Sequence, residues 1–110
     1  MSELVSVEDL EQLKDIMEDE FDMLIGMFVD DSSTLIQTIK TTAAEKDADA
    51  LRVASHTLKG SSSNMCVQSI SNLCAEIENK AKENNLTGVD ALISELNAIH
   101  PQVVDILKNF

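Results

Sequence analysis

Ser55-His56-Thr57-Leu58-Lys59-Gly60-Ser61-Ser62-Ser63-Asn64-Met65 reads as a helix that presents one histidine on the face away from its own apolar stripe. A helix turns ~100° per residue. Leu51, Leu58 and Met65 recur at a spacing of seven and stack on one side, with Ala54 and Ser62 beside them. His56 precedes Leu58 by two residues, which puts it roughly 160° from that stripe. Gly60 sits one turn further on, on the side of His56, and Lys59 reaches the same side from three residues on. Glycine inside a helix costs ~1 kcal/mol against alanine, so Gly60 points to a steric reason, such as room for something bulky over the imidazole.

Working outward, the same helical spacing recurs along the chain. Ser6 is placed to cap a short helix with Asp9 at its third position, running through Leu10, Leu13 and Ile16. Phe21, Leu24, Ile25, Phe28, Leu35, Ile36 and Ile39 mark a longer helix. Asp47 caps the histidine helix, residues 48–65, and a further helix follows with Ile70, Cys74, Ile77 and Ala81 as its stripe. Asn84-Asn85 breaks it. Thr87 then caps a last helix carrying Leu92, Leu96, Ile99 and Val103, which Pro101 should kink or split near Asn97 to His100. Only three glycines and one proline are present, and no alternating strand pattern, repeat or linker appears. The expected fold is all-α: a single domain over residues 1–110, built as an antiparallel four-helix bundle with a short additional N-terminal helix.

Composition agrees with that and narrows the function. Apolar residues make up 44% and charged residues 25%, which is globular rather than disordered. With no Trp or Tyr and three Phe, aliphatic side chains and Met must fill the core. Twenty acidic against eight basic residues give a formal charge of −12. Nucleic acid and anionic membrane surfaces are disfavoured, because both need the Lys and Arg this chain lacks. The charge reads chiefly as solubility, with steering toward a basic partner face as its functional counterpart. Met1-Ser2-Glu3 lacks a basic n-region, and no run approaches the ~18 apolar residues of a membrane span, so a cytoplasmic location is expected. Cys66 and Cys74, about 12 Å apart if their helix is continuous, read as reduced core fillers.

His56-x-Leu58-Lys59-Gly60 followed by small residues resembles the signature of histidine-containing phosphotransfer (HPt) domains. The helix with Phe21 and Phe28-Val29-Asp30-Asp31, and the stretch Leu73-Cys74-x-x-Ile77-Glu78, also look like that family, so the resemblance covers most of residues 5–108. Cys66 departs from it, since the family usually has a glycine there. The resemblance implies a phosphoryl carrier between receiver-domain aspartates of a hybrid histidine kinase and of a response regulator. It implies phosphorylation of His56 at Nε2, and Mg²⁺ held by the partner receiver domain, with no cofactor of the chain's own. By family position, Glu78 is a candidate neighbour of the ring.

The residues suit that chemistry. Histidine, with an ordinary pKa of ~6.5, is an available nucleophile near neutral pH without a neighbouring base. Lys59 is placed to stabilise a phosphoryl group, and Gly60 leaves steric access. Arg52 and Ser63 fall near the His56 face and are candidates for a docking surface, to which Met23, Ile25 and Met27 add apolar contacts from the neighbouring helix. No kinase or nucleotide-loop motif appears, so the chain reads as a phosphocarrier without ATP chemistry. Metal binding is not expected: no Glu-x-x-His pair exists, and the cysteine spacing is not that of zinc. His100, before Pro101, reads as structural or surface. The expected state is a free-standing monomer. Two alternatives belong to other classes: an HPt-like interaction module that binds receivers without accepting phosphate, and a carrier protein with a prosthetic group on serine, weakly echoed by Asp31-Ser32-Ser33.

Overall fold

A computed structural model describes residues 4–110. Met1-Ser2-Glu3, read above as a start without a leader, lie outside the described residues. Among these residues five α-helices follow one another: α1 (Val7–Met17), α2 (Phe21–Ala44), α3 (Ala48–Asn64), α4 (Gln68–Lys82) and α5 (Val89–Lys108). A 3-10 turn, Glu18–Glu20, joins the first two. α3 packs on α4 and α2, and α5 packs on α4 and α2. Short connections make sequential helices antiparallel, so α2 to α5 form an up-down-up-down four-helix bundle. The expected all-α bundle with a short extra N-terminal helix is the observed fold.

The apolar stripes converge as their spacing requires. Ile39, Leu51, Leu58, Ile70, Ile77, Leu96 and Val103 have no exposed surface. Leu10 brings α1 into the same core, with Leu13 and Met17 partly buried beside it. Ile16 is instead exposed, because Met17, seven residues after Leu10, takes the third place in that stripe. Lys14 ties the two ends of the chain together: its Nζ donates to the Phe110 carbonyl at 3.1 Å and lies over the Phe21 and Phe110 rings.

The helix ends show why the connections can be so short. After α2, α3 and α4, the residues Lys46, Cys66 and Asn84 take positive φ of 58°, 65° and 52°. At each end two backbone bonds close the turn; after α3 they are Cys66 N–H to the Ser63 carbonyl (3.1 Å) and Val67 N–H to the Ser62 carbonyl (2.8 Å). These are Schellman caps built without glycine. Cys66 therefore stands where backbone geometry favours the glycine usual in the resembled family.

Three expected boundaries need correction. Ser6 precedes α1, but its hydroxyl donates to Asp9 Oδ2 at 3.0 Å and caps no backbone group. Gly88, at φ 82°, and not Thr87, precedes α5, because the chain turns there through a conformation that strains other residues. α5 runs unbroken through Pro101. Asn97 and Pro101 are exposed, so the carbonyl that loses its donor meets water, while Leu96, Val103 and Leu107 anchor the helix on both sides. Asp47 does cap α3, its Oδ1 accepting from Ala50 N–H at 3.1 Å.

Candidate functional site

Three small polar residues of α3 bond back onto their own helix. The hydroxyls of Ser55, Thr57 and Ser61 donate to carbonyls one turn back, at 2.8, 2.9 and 3.3 Å. His56 projects from the outer side of α3 with 65% of its side chain exposed. Across from it, Glu78 stands on α4 and points inward, with only 5% of its side chain exposed. Three groups surround that carboxylate. Nδ1 of His56 is 2.9 Å from Oε2, Nζ of Lys59 is 2.6 Å from Oε1, and Nζ of Lys82 is 3.8 Å from Oε2.

Burial pushes the Glu78 carboxyl upward, but hydrogen bonds from Lys59 and His56, together with their charge, outweigh it and hold the group below the ordinary glutamate range. An ionised carboxylate only accepts hydrogen bonds. The proton on His56 is therefore assigned to Nδ1, which donates to Glu78. With Nδ1–H bonded to Glu78, the lone pair of the neutral ring lies on Nε2, which has no partner among the described residues. Cys74, one turn before Glu78, is fully buried, and burial, then the Glu78 charge, push its thiol up to about 12.

Gly60 is exposed, and a Cβ built there would meet nothing within 4 Å. Nothing in the chain's own packing demands glycine at that point. Arg52 is half-buried one turn before His56, and Ser63 is exposed, its hydroxyl 2.7 Å from that of Ser71 on α4. Met23 and Met27 are 62% and 55% exposed on α2. Ile25 is buried in the core and contributes nothing to the surface, because it shares the inward stripe of Phe21 and Phe28. Leu24, Met27, Phe28, Asp31, Ser61, Asn64 and Met65 line a shallow groove between α2 and α3. It continues along Asp31, Thr34, Leu35 and Ser61 to Thr57, the neighbour of His56.

Lys82 escaped the sequence reading, although its spacing of four from Glu78 on one helix was a usable signal. His100 is half-buried at the α2–α5 seam, with Nε2 2.8 Å from the hydroxyl of Ser32. Ser32 itself has no exposed surface, so it offers no attachment point for a prosthetic group. Both cysteines are free thiols. Among the described residues no three His, Cys, Asp or Glu gather as a metal site, and no helix is long and apolar enough to cross a membrane.

A family model described as Hpt domain matches residues 23–105. Among solved structures, the fold matches histidine-containing phosphotransfer protein B (HptB) from Pseudomonas aeruginosa with a TM-score of 0.94 and 30% identity, over 99% of this chain and 95% of that chain. No curated protein sequence matches the chain.

Proposed function

This chain belongs to the Hpt family and has a histidine phosphotransfer role in phosphorelays, and on that premise we propose that His56 is the residue that carries the phosphoryl group. The observation that supports it is the ring held by Glu78 at Nδ1 with Nε2 turned outward. Nε2 attacks the phosphorus of a receiver's aspartyl phosphate. The phosphorus–nitrogen bond forms, the acyl phosphorus–oxygen bond breaks, and the receiver's carboxylate leaves with the electron pair. Nε2 carries no proton to lose. The positive charge developing on the ring is stabilised by the Glu78 carboxylate through Nδ1–H. The reverse sequence delivers the phosphoryl group to the next receiver.

Hpt proteins work with receiver domains in two-component phosphorelays. The particular pair assigned here is the receiver of a hybrid histidine kinase and that of a response regulator. The groove beside Met27 and Ser61, with Met23, Arg52 and Ser63 around His56, is the surface on which they dock, and open space at Gly60 admits their loops. Mg²⁺ is assigned to the receiver's pocket, and the chain is read as a cytoplasmic monomer without ATP chemistry.

The deciding experiment incubates the chain with a panel of phosphorylated receiver domains and Mg²⁺. Acid-labile, alkali-stable phosphate on wild type and none on His56→Gln is expected. Tight receiver binding without label on a folded wild-type chain would instead identify an interaction module.

A further inference from the structure

Resting on the reading of His56 as phosphoacceptor, we propose that Lys82 is a reserve counter-ion for Glu78, which it takes over when Lys59 turns to the phosphoryl group on His56. Lys59 has its amino group committed in the unphosphorylated protein, 2.6 Å from Oε1 of Glu78. It is three residues from His56 on the same helix face, on a flexible stem, so the outward Nε2 is within its range. A phosphoryl group brings nearly two negative charges and three acceptor oxygens, and competes strongly for that ammonium against a single carboxylate.

The move creates a second problem that α4 has already solved. Without Lys59, Glu78 is a carboxylate with 5% of its side chain exposed and only the His56 Nδ1–H as donor. A buried charge that loses its partner is strongly destabilising. Lys82 stands one turn beyond Glu78 on α4, 57% exposed, with Nζ 3.8 Å from Oε2. That is too long for a hydrogen bond and close enough to become one by a rotamer change. In the resting protein the carboxylate thus has one cation in contact and one waiting. Lys82 acts through Glu78 and is a positioning residue.

A merely structural Lys82 is the alternative, since a basic residue in the last turn of a helix favours the helix dipole. Such a role is the same with and without phosphate, and that separates the two. Wild type, Lys82→Gln and Lys82→Arg are treated with phosphoramidate. Nε2 attacks its phosphorus, the phosphorus–nitrogen bond breaks, and the already protonated amino group leaves as ammonia. Urea unfolding at pH 8 is then compared before and after labelling. Before labelling, the three chains are expected to unfold together. After labelling, the folded-to-unfolded ratio of Lys82→Gln should fall about three- to tenfold below wild type, with Lys82→Arg following wild type. Equal shifts on labelling in all three chains would overturn the hand-over, as would a Gln variant equally weakened before labelling. Phosphate that labels His56→Gln as well as wild type would overturn the phosphoacceptor reading itself, and the hand-over with it.

Discussion

Nδ1 of His56 lies 2.9 Å from Oε2 of Glu78, and that contact decides which ring nitrogen is free. The acceptor sits on a different helix, buried and held ionised by Lys59, so the ring is fixed in one tautomer before any partner arrives. Removing the charge while keeping an acceptor oxygen, in Glu78→Gln, should slow single-turnover transfer to His56 about tenfold. The estimate follows from a charge-assisted hydrogen bond of ~1.5–3 kcal/mol, partly retained by the amide, at ~1.4 kcal/mol per factor of ten. Nitrogen-15 NMR of the ring should show loss of the single Nδ1–H tautomer. An unchanged tautomer and rate would remove Glu78 from the mechanism.

Gly60→Ala separates folding from docking. The added Cβ meets no atom of the chain, and alanine is the better helix former by ~1 kcal/mol. The variant should therefore melt higher, by about 4–8 °C for a domain of this size. Its transfer from a phosphorylated receiver should nevertheless be slower than wild type, because the methyl group occupies the approach to the ring. Calorimetry and rapid-quench kinetics on the same sample check both halves. A higher melting temperature with unchanged transfer would show that no partner uses the space.

What could be read from the sequence was what one helix fixes alone. The exposed placement of His56 opposite Leu51, Leu58 and Met65 follows from the 100° turn, and the Asp47 cap from local chemistry. Contacts between helices do not follow from spacing, because the axial register of α4 against α3 is set by packing, and Glu78 is placed beside the ring only through the family resemblance. Spacing alone leaves Lys59 free to face the ring, whereas the packed bundle pairs it with Glu78. By spacing Ile25 fits both core and surface, and only the packed bundle separates it from Met23 and Met27. Gly88 and Pro101 depart from the spacing for local reasons: the chain turns at Gly88 through a left-handed conformation, and the carbonyl that Pro101 leaves without a donor lies on an exposed stretch.

Acidification should weaken the bundle in two separate windows. His100 is half-buried, and burial lowers its pKa below the ordinary histidine value. The unfolded chain therefore binds the proton more readily, so the stability from neutral His100 is complete above ~6.5 and is lost as pH falls through the lowered value. Glu78, held below the glutamate range, contributes above ~4.3 and loses its contribution only at lower pH. Melting temperatures from pH 7.5 to 3 should show the first decline flattened in His100→Gln and the second flattened in Glu78→Gln. An identical profile for wild type and His100→Gln would show that the Ser32–His100 contact tolerates protonation.

The left-handed residues that end α2, α3 and α4 give the last test, because their side chains differ in what else they do. A non-glycine residue in this conformation carries ~1–2 kcal/mol of strain, offset in part because glycine loses more entropy on folding. Lys46 is exposed and forms no ion pair or side-chain hydrogen bond among the described residues, so Lys46→Gly should stabilise by about 0.5–1 kcal/mol. Asn84→Gly should gain less, since asparagine tolerates the region better. Cys66→Gly removes the same strain but also a side chain packed against the core, and the two effects should nearly cancel. Urea midpoints of the three variants should therefore rank Lys46→Gly above Asn84→Gly, with Cys66→Gly nearest wild type. A Lys46→Gly variant that is weaker than wild type would show that the lysine side chain, and not its backbone angle, governs that turn.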